Sequence, residues 1–494
     1  MEKYKNLING KLVEPSTGKY FENLNPADNS DIVGLFPVSG LDDIDNAAKA
    51  AKEAFPAWSD MPAPKRGELI YKVAELLKRH QEKLAKVIIH EMGKTMPESM
   101  GDIQSSIDAA NFMAGEGRRM YGQTTFSNLY RRWALTKRVP VGICGLITAW
   151  NAPMAIITWK LFPALICGNT VVLKPSEDTP MTAHLLGELL KEAGFPDGVV
   201  NIVYGIGPEA GEDLVKHPDV NLVSFTGSTK IGRQIAEECG RQLKRCSLEL
   251  GGKNGLIVMD DADLDAASKA VAAGAFSTAG QRCAANSRVF VHKFIYDAFM
   301  EKLLDETKKM KVGIGSEPDT KVCPIINKRQ FNSIISYIEG AKKDGAKLLY
   351  GGEALTQGKF AKGHFIEPTI FTDVDINSAL ACDEVFGPVL AVFKVSGFED
   401  AIEKINSSGY GLTASIFTGN VNLAMLALER INAGCCYINA PTFGSEPHMP
   451  FGGVKNSGNG SREPGLQALD VFSEWKTIYI DYSGTAQQSQ YRMK

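Results

Sequence analysis

Three side chains in this chain have the chemistry of an acyl-transfer site: a thiol, a carboxyl and an amide. The thiol is Cys283, in STAGQRCAANS (277–287), where the apolar spacing breaks off. Most free cysteines are small buried hydrophobes. Here polar Gln281 and Arg282 do not suit a dry core, and Ala279, Gly280, Ala284 and Ala285 permit close approach of a substrate. The carboxyl is Glu249 in LELGGKN (248–254), at the end of an apolar run and before two glycines. Held in partly apolar surroundings, such a carboxyl has the raised pKa of a general base. Taken alone, the motif equally fits an ion-paired Glu at a strand end. The amide is Asn151 in TAWNAP (148–153), at the junction of a strand and a helix. It is placed to donate to a developing oxyanion or to cap the helix.

Two further stretches suit a dinucleotide. In KPSEDTP (174–180), Lys174 and Glu177 stand at the carboxyl end of a strand, the edge where doubly wound sheets bind ligands. They suit ribose hydroxyls, and Glu177 would repel a 2′-phosphate, favouring NAD over NADP; the plain alternative is a surface turn. In FTGSTKIG (225–232) a strand passes through Gly227 into a helix opening with Ser228. Free N–H groups and the positive helix end make a place for a pyrophosphate. No GxGxxG is present, and YGIGPEAG (204–211), with Gly205, Gly207 and Gly211, by itself reads as a turn.

The elements that must position these residues follow from periodicity. From Val141, β-branched runs alternate with amphipathic ones: strand VGICGLITAW, helix PMAIITWKLFPALICG, strand NTVVLKP, helix TPMTAHLLGELLKEAG, strand GVVNIVYG, helix PEAGEDLVKH, strand VNLVSFTG, helix STKIGRQIAEECG, strand CSLEL. A βαβ series of this kind requires a parallel sheet with helices on both faces. A second α/β series follows: a helix at 262–274, strand SRVFVHK, helix IYDAFMEKLLDETKKMK, a Gly-rich hairpin at Gly351–Gly352, strand PVLAVFKV, helix FEDAIEKINSS, strand LTASIFTG and helix NLAMLALERINAG. The N-terminal third is expected to be mostly helical, through IDNAAKAAKEAFPAWSD and the single run ELIYKVAELLKRHQEKLAKVIIHEMG. LYRRWALTKRVPVG and SEWKTIYIDYS alternate in period two and read as edge strands of the kind that pair with another subunit.

Bulk properties bound the rest. At 494 residues the prior is two or three domains, and 44% hydrophobic with 22% charged residues describes a globular chain. A net charge of −3 gives no field favouring nucleic acid or an anionic membrane. Nine scattered cysteines, without zinc-ligand spacing, suit a reducing compartment and no structural metal. The start, MEKYKNLING, has no apolar signal core, and no apolar stretch is long enough for a membrane span. A cytoplasmic protein is expected.

Taken in order, TAWNAP, KPSEDTP, FTGSTKIG, LELGGK, GQRC, EVFGP (384–388) and PFGGVKNSG (450–458) resemble the aldehyde dehydrogenase superfamily over essentially the whole chain. The spacing of Glu249 and Cys283 also matches. Any one motif is weak, and seven in order are specific. The resemblance implies an α/β fold: a Rossmann-like parallel-sheet NAD(P)-binding domain (1–120 and 141–251), a second α/β catalytic domain (252–460), and a small β oligomerisation element (121–140 and 461–494). It implies oxidation of a small-molecule aldehyde to the acid through a cysteine thiohemiacetal and thioester, in a homo-oligomer, dimer or tetramer.

Residue by residue, Cys283 matches the family's nucleophile, and Glu249 matches the base that activates the hydrolytic water. Asn151 with the Cys283 N–H matches the oxyanion hole, while Lys160 and Glu474 match positions serving a proton relay. Lys174, Ser176 and Glu177 match the adenosine ribose region, and Gly207, Gly211, Phe225, Gly227 and Ser228 the pyrophosphate side. Thr148, Trp150, Leu250, Gly251, Glu384 and Phe386 match the rest of the cofactor cleft, the last two at the nicotinamide ribose. Ala152, Met154, Ile157, Trp159, Arg282, Phe443 and Phe451 match the substrate pocket.

Where many relatives carry a proline before the Trp and a phenylalanine after the Asn, this chain has Ala149 and Ala152, which should widen the tunnel near Asn151. The loop NAPTFGSEPHMPFGG, with Glu446 and His448, is longer and more polar than in enzymes for simple aliphatic aldehydes. A semialdehyde or an aromatic aldehyde is the expected substrate. Cys435 and Cys436 read as packing residues. Two other functions compete. A CoA-acylating enzyme needs no hydrolytic base, so Glu249 argues against it. A non-catalytic cofactor-binding structural protein would have lost the thiol or the base, and this chain keeps both.

Overall fold

The computed structural model describes residues 2–484. Continuous apolar runs such as ICGLI and TVVLK leave no polar face for water, so they belong in a sheet covered on both sides. That sheet runs β11 (Arg245–Glu249), β10 (Leu222–Thr226), β7 (Ile143–Ile147), β8 (Thr170–Lys174), β9 (Val200–Ile202), β1 (Asn6–Ile8), β2 (Lys11–Val13). β7 to β11 pair in parallel and the two N-terminal strands antiparallel. On one face, Cys144, Leu146, Val171 and Leu173 pack with helices α2 (Ala63–Arg79), α3 (Gln81–Met92), α4 (Met96–Glu116), α5 (Pro153–Ile166) and α6 (Pro180–Ala193). On the other, Ile143, Ile147 and Val172 meet α1 (Leu41–Asp60), α7 (Glu212–Lys216) and α8 (Thr229–Arg241). Chain order runs outward from β7 to β8 and β9, then returns to β10 on its other side. This opens a crevice beyond the carboxyl ends of β7 and β10.

The second sheet runs β14 (Lys347–Tyr350), β17 (Thr369–Thr372), β18 (Val389–Val395), β13 (Asn286–His292), β12 (Asn254–Val258), β20 (Thr413–Phe417), β21 (Cys435–Ile438), parallel except for β14. It has its own buried core, against which α9 (Leu264–Phe276) packs. A third sheet holds β5 (Thr124–Phe126), β6 (Arg132–Pro140) and β23 (Ser473–Asp481). Three ribbons complete the strands: β3 (Tyr20–Asn25) with β4 (Asp28–Pro37), β15 (Ala354–Leu355) with β16 (Phe365–Ile366), and β19 (Tyr410–Gly411) with β22 (Val454–Lys455).

Several expectations change. The N-terminal third is helical only after four strands, and the run at 68–93 breaks at His80 into α2 and α3. β6 is the middle strand of its sheet, paired on both sides by β5 and β23, so the edges are those two. Helix α4 and strand β12 lie outside the expected elements: α4 has little amphipathic contrast because its buried face includes Ser99, Asp102, Ser106 and Glu116, while Pro97, Gly101, Gln104, Asp108 and Asn111 form an exposed stripe. Residues 485–494 of the expected oligomerisation element lie outside the described residues.

Candidate active site

The site lies where the carboxyl edge of the first sheet meets the amino edge of the second. Glu249 is the last residue of β11. Cys283 sits in the turn that precedes β13, and Glu384 in the loop that precedes β18. Glycines make the approach possible. A Cβ on Gly251 would stand 2.1 Å from the Glu384 carboxylate, one on Gly252 2.6 Å from the Cys283 carbonyl oxygen, and one on Gly452 2.4 Å from Glu249 Oε1. Strand-end segments from both sheets are thus folded directly against one another.

Cys283 is half-buried, and its thiol is pushed up to about 12, first by desolvation and then by the negative charge of Glu384 and Glu249; the N–H groups of Ala284 and Cys283 pull the other way. It rests as a neutral thiol. Its loop is fixed by Asn254, whose Nδ2 donates to the carbonyls of Cys283 (2.7 Å) and Ala285 (2.9 Å) while its Oδ1 accepts from Thr413 N (3.0 Å). Glu249 is buried, and neither carboxyl oxygen has a hydrogen-bond partner among the described residues. Burial holds its carboxyl well above the ordinary range, Lys160 opposing and Glu463 adding to the shift. The ion-paired strand-end reading of Glu249 is therefore not the one realised.

Asn151 is buried, and its amide has no hydrogen-bond partner among the described residues. It does not cap the helix: Ala152 is the N-cap of α5, and the Ala155 N–H is taken by Asp102 of α4 at 2.7 Å. Lys160 Nζ donates to Glu463 Oε2 at 3.0 Å and to Ser224 Oγ at 2.8 Å, and the Ser224 and Ser247 hydroxyls close on Glu463 Oε1. Glu474 is a correction. It lies on β23 with 57% of its side chain exposed, 3.6 Å from Arg245, and has no contact with Lys160. Glu463 is the carboxylate that meets Lys160 instead. Nothing in GSREPG announces that contact, since it joins segments 303 residues apart.

The residues expected on the cofactor side come from the carboxyl ends of four strands. Thr148, Trp150 and Asn151 follow β7; Lys174 ends β8, with Ser176 and Glu177 after it; Gly227 and Ser228 follow β10; Gly251 follows β11. Phe225, inside β10, and Leu250 are corrections in part: both side chains are packed in the core between the sheet and α8. Lys174 Nζ donates to Glu177 Oε2 at 3.0 Å. Gly207 and Gly211 bound one widened helical turn beside it, and a Cβ on Gly211 would meet the Lys174 side chain at 3.9 Å. Ser228 caps α8. Glu384 accepts from Gly252 N at 2.8 Å; burial raises its carboxyl to about 7 against the pull of that bond and of Lys253. Trp150 and Phe386 meet edge to face at 5.3 Å, with Phe386 at φ +53°.

On the substrate side, Ala152, Ile156 and Trp159 are the partly open residues along α5, spaced as one helix face. Trp159 meets Phe451 at 5.9 Å, and Arg282 stands over Phe443 at 4.8 Å. Met154 and Ile157 are corrections: they are 0% and 1% exposed and packed into the core beneath, on the opposite side of α5. Ile156, one position away, takes the open face. Tyr437 on β21, electrostatically coupled to Cys283, was also not anticipated.

Comparison with known proteins decides the family. The aldehyde dehydrogenase family profile matches residues 12–478. The chain belongs to the aldehyde dehydrogenase family. Alpha-ketoglutaric semialdehyde dehydrogenase of Bacillus subtilis (strain 168) is 42% identical over 97% of this chain and 98% of its own. Retinaldehyde dehydrogenase 3 of Homo sapiens is 41% identical over 96% of this chain and 92% of its own. The crystal structure of betaine aldehyde dehydrogenase from Staphylococcus aureus in complex with NAD+ superposes with a TM-score of 0.96 at 33% identity, covering 99% of this chain and 97% of that one. As an aldehyde dehydrogenase the protein is an oxidoreductase acting on the aldehyde group.

Proposed function

We propose that this aldehyde dehydrogenase converts an aldehyde to the carboxylic acid through a thioester on Cys283, hydrolysed by water that Glu249 deprotonates. The observation that carries the reading is the Glu249 carboxyl: buried, without a hydrogen-bond partner among the described residues, and close enough to Cys283 for its charge to act on that thiol. A carboxyl so placed has its lone pairs open to a water at the thioester carbon.

The crevice fits NAD. Glu177, held by Lys174, is placed for ribose hydroxyls and against a 2′-phosphate, Ser228 and Gly227 open α8 toward a pyrophosphate, and the Glu384 carboxylate fills the space over Gly251. When bound, NAD supplies a hydride acceptor and a positive ring beside the thiol. Cys283 must lose its proton to attack the carbonyl, and a nearby positive charge favours the thiolate. Asn151 Nδ2 and the Cys283 N–H hold the oxyanion. After thioester formation Glu249 takes a proton from water, and Lys160, bonded to Glu463, carries the charge that stabilises the ionised base.

The open α5 face at Ala152, with the polar loop of Glu446 and His448, supports a substrate larger or more polar than acetaldehyde, a semialdehyde or an aromatic aldehyde. The exposed aromatics Phe126, Trp133, Trp475 and Tyr479 on the third sheet support a homo-oligomer. A steady-state screen of aldehydes against NAD and NADP, with CoA absent and then present, tests the function. Highest kcat/KM for acetaldehyde refutes the substrate class, and a strict CoA requirement refutes hydrolysis.

A further inference from the structure

Helix α4 touches both halves of the site through carboxylates one turn apart. Glu98 Oε1 accepts from Thr278 N (2.7 Å), Thr278 Oγ1 (2.9 Å) and Arg282 Nη2 (3.2 Å), while Oε2 is held by Thr95 N (3.1 Å) and Thr95 Oγ1 (2.8 Å). Asp102 Oδ1 accepts from Ala155 N at 2.7 Å, in the first turn of α5, and Oδ2 from Lys94 Nζ at 2.9 Å. Residues four apart share a helix face. One carboxylate therefore grips the turn that leads into Cys283, and the other the helix start that follows Asn151.

The turn gripped by Glu98 needs support. Thr278, Ala279 and Gly280 have φ of +52°, +53° and +68°, three left-handed residues in succession. Only the glycine adopts that conformation freely; a β-branched Thr there is strained and persists only where surrounding contacts over-determine it. Glu98 satisfies both the N–H and the hydroxyl of Thr278 with a charged acceptor. Arg282 Nε returns to Thr278 Oγ1 at 2.9 Å, closing the cluster next to the thiol.

We propose that Glu98 and Asp102 are positioning residues, fixing the separation and angle between the Cys283 sulfur and the Asn151 amide. The proposal rests on Cys283 being the nucleophile. Neither carboxylate touches the reacting atoms. They act through the Thr278 turn and the start of α5, and misplacement of a reacting pair by about 1 Å costs on the order of a hundredfold in rate.

The test compares Glu98→Gln, Glu98→Asp and Asp102→Asn with the wild type in three readouts: kcat and KM with the best aldehyde, the rate of iodoacetamide alkylation at Cys283 read by peptide mass, and NADH binding by fluorescence. The expected result is a fall in kcat and in the Cys283 alkylation rate of about tenfold or more, with KM and NADH affinity within about twofold of wild type. In the Glu98→Gln background, Thr278→Gly removes the strain that the carboxylate opposes, so kcat and alkylation rise again; a residue that served only general stability would show no such rescue. Should Glu98→Gln not accumulate as folded protein, Glu98→Asp, which keeps the charge one methylene short, carries the same comparison. Unchanged kcat and alkylation in the folded variants, or no rescue by Thr278→Gly, overturns the proposal. Cys283→Ala retaining turnover would instead overturn the nucleophile assignment beneath it, so the two failures are distinguishable.

Discussion

Replacing Glu463 by Gln isolates the buried Lys160–Glu463 pair, whose charges act on the Glu249 carboxyl. Lys160 and Glu463 each have 2% of their side chain exposed, and Glu463 accepts from Lys160, Ser224 and Ser247 at once. An amide keeps one acceptor for the serines but turns an NH2 toward Lys160 Nζ, leaving a buried cation without a counter-charge. Breaking a buried pair from one side costs about 3–5 kcal/mol, whereas replacing both partners by apolar groups is often neutral. Glu463→Gln should therefore lower the urea midpoint by about 3 kcal/mol of stability, and Lys160→Met in the same chain should recover most of it. The electrostatic consequence has a definite sign. Glu463 raises the Glu249 carboxyl and Lys160 lowers it, so removing the negative partner alone brings Glu249 down. The base is then ionised at lower pH, and the pH profile of thioester hydrolysis, read as single-turnover acid release, moves toward acid. A stability equal to wild type, or a profile that moves toward alkali, would refute the coupling of these groups.

Two other outcomes follow from the same geometry. Glu249→Gln should leave the pre-steady-state burst of NADH while the steady state slows, because the amide spares acylation but has no basic carboxylate; loss of the burst would place Glu249 in an earlier step. The Glu384 carboxyl lies at about 7, so it is ionised above that pH and protonated below it. NADH affinity should weaken as pH falls through about 7, and Glu384→Gln should flatten that dependence; an unchanged slope in the variant assigns the titration elsewhere.

Much of this site can be read in one dimension because its parts are loop motifs at strand ends. Thr148–Pro153 after β7, Lys174–Pro180 after β8, Phe225–Gly232 after β10 and Leu248–Asn254 after β11 each carry local turn chemistry that a sequence displays. The misses share a cause. Glu474 and Glu463 are both glutamates of the C-terminal segment, and only the packing of β10 and β11 against residue 463 distinguishes them. Met154 and Ile157 lie on the same helix as Trp159, and the choice of face depends on which neighbours cover it. Helix α4 places Ser99, Asp102, Ser106 and Glu116 on its buried face, so its apolar periodicity is weak and neither Glu98 nor Asp102 stands out in the sequence.

The sequence by itself determined the residue types, their order and the alternation of strand and helix, since these follow from side-chain chemistry and from periods of two and 3.6 residues. Tertiary structure alone decided that the Cys283 thiol and the Glu249 and Glu384 carboxyls share one seam between two sheets, and that Lys160 meets Glu463. Desolvation and Coulomb interaction depend on distances through space between residues remote in the chain, and those distances exist only once both sheets have packed.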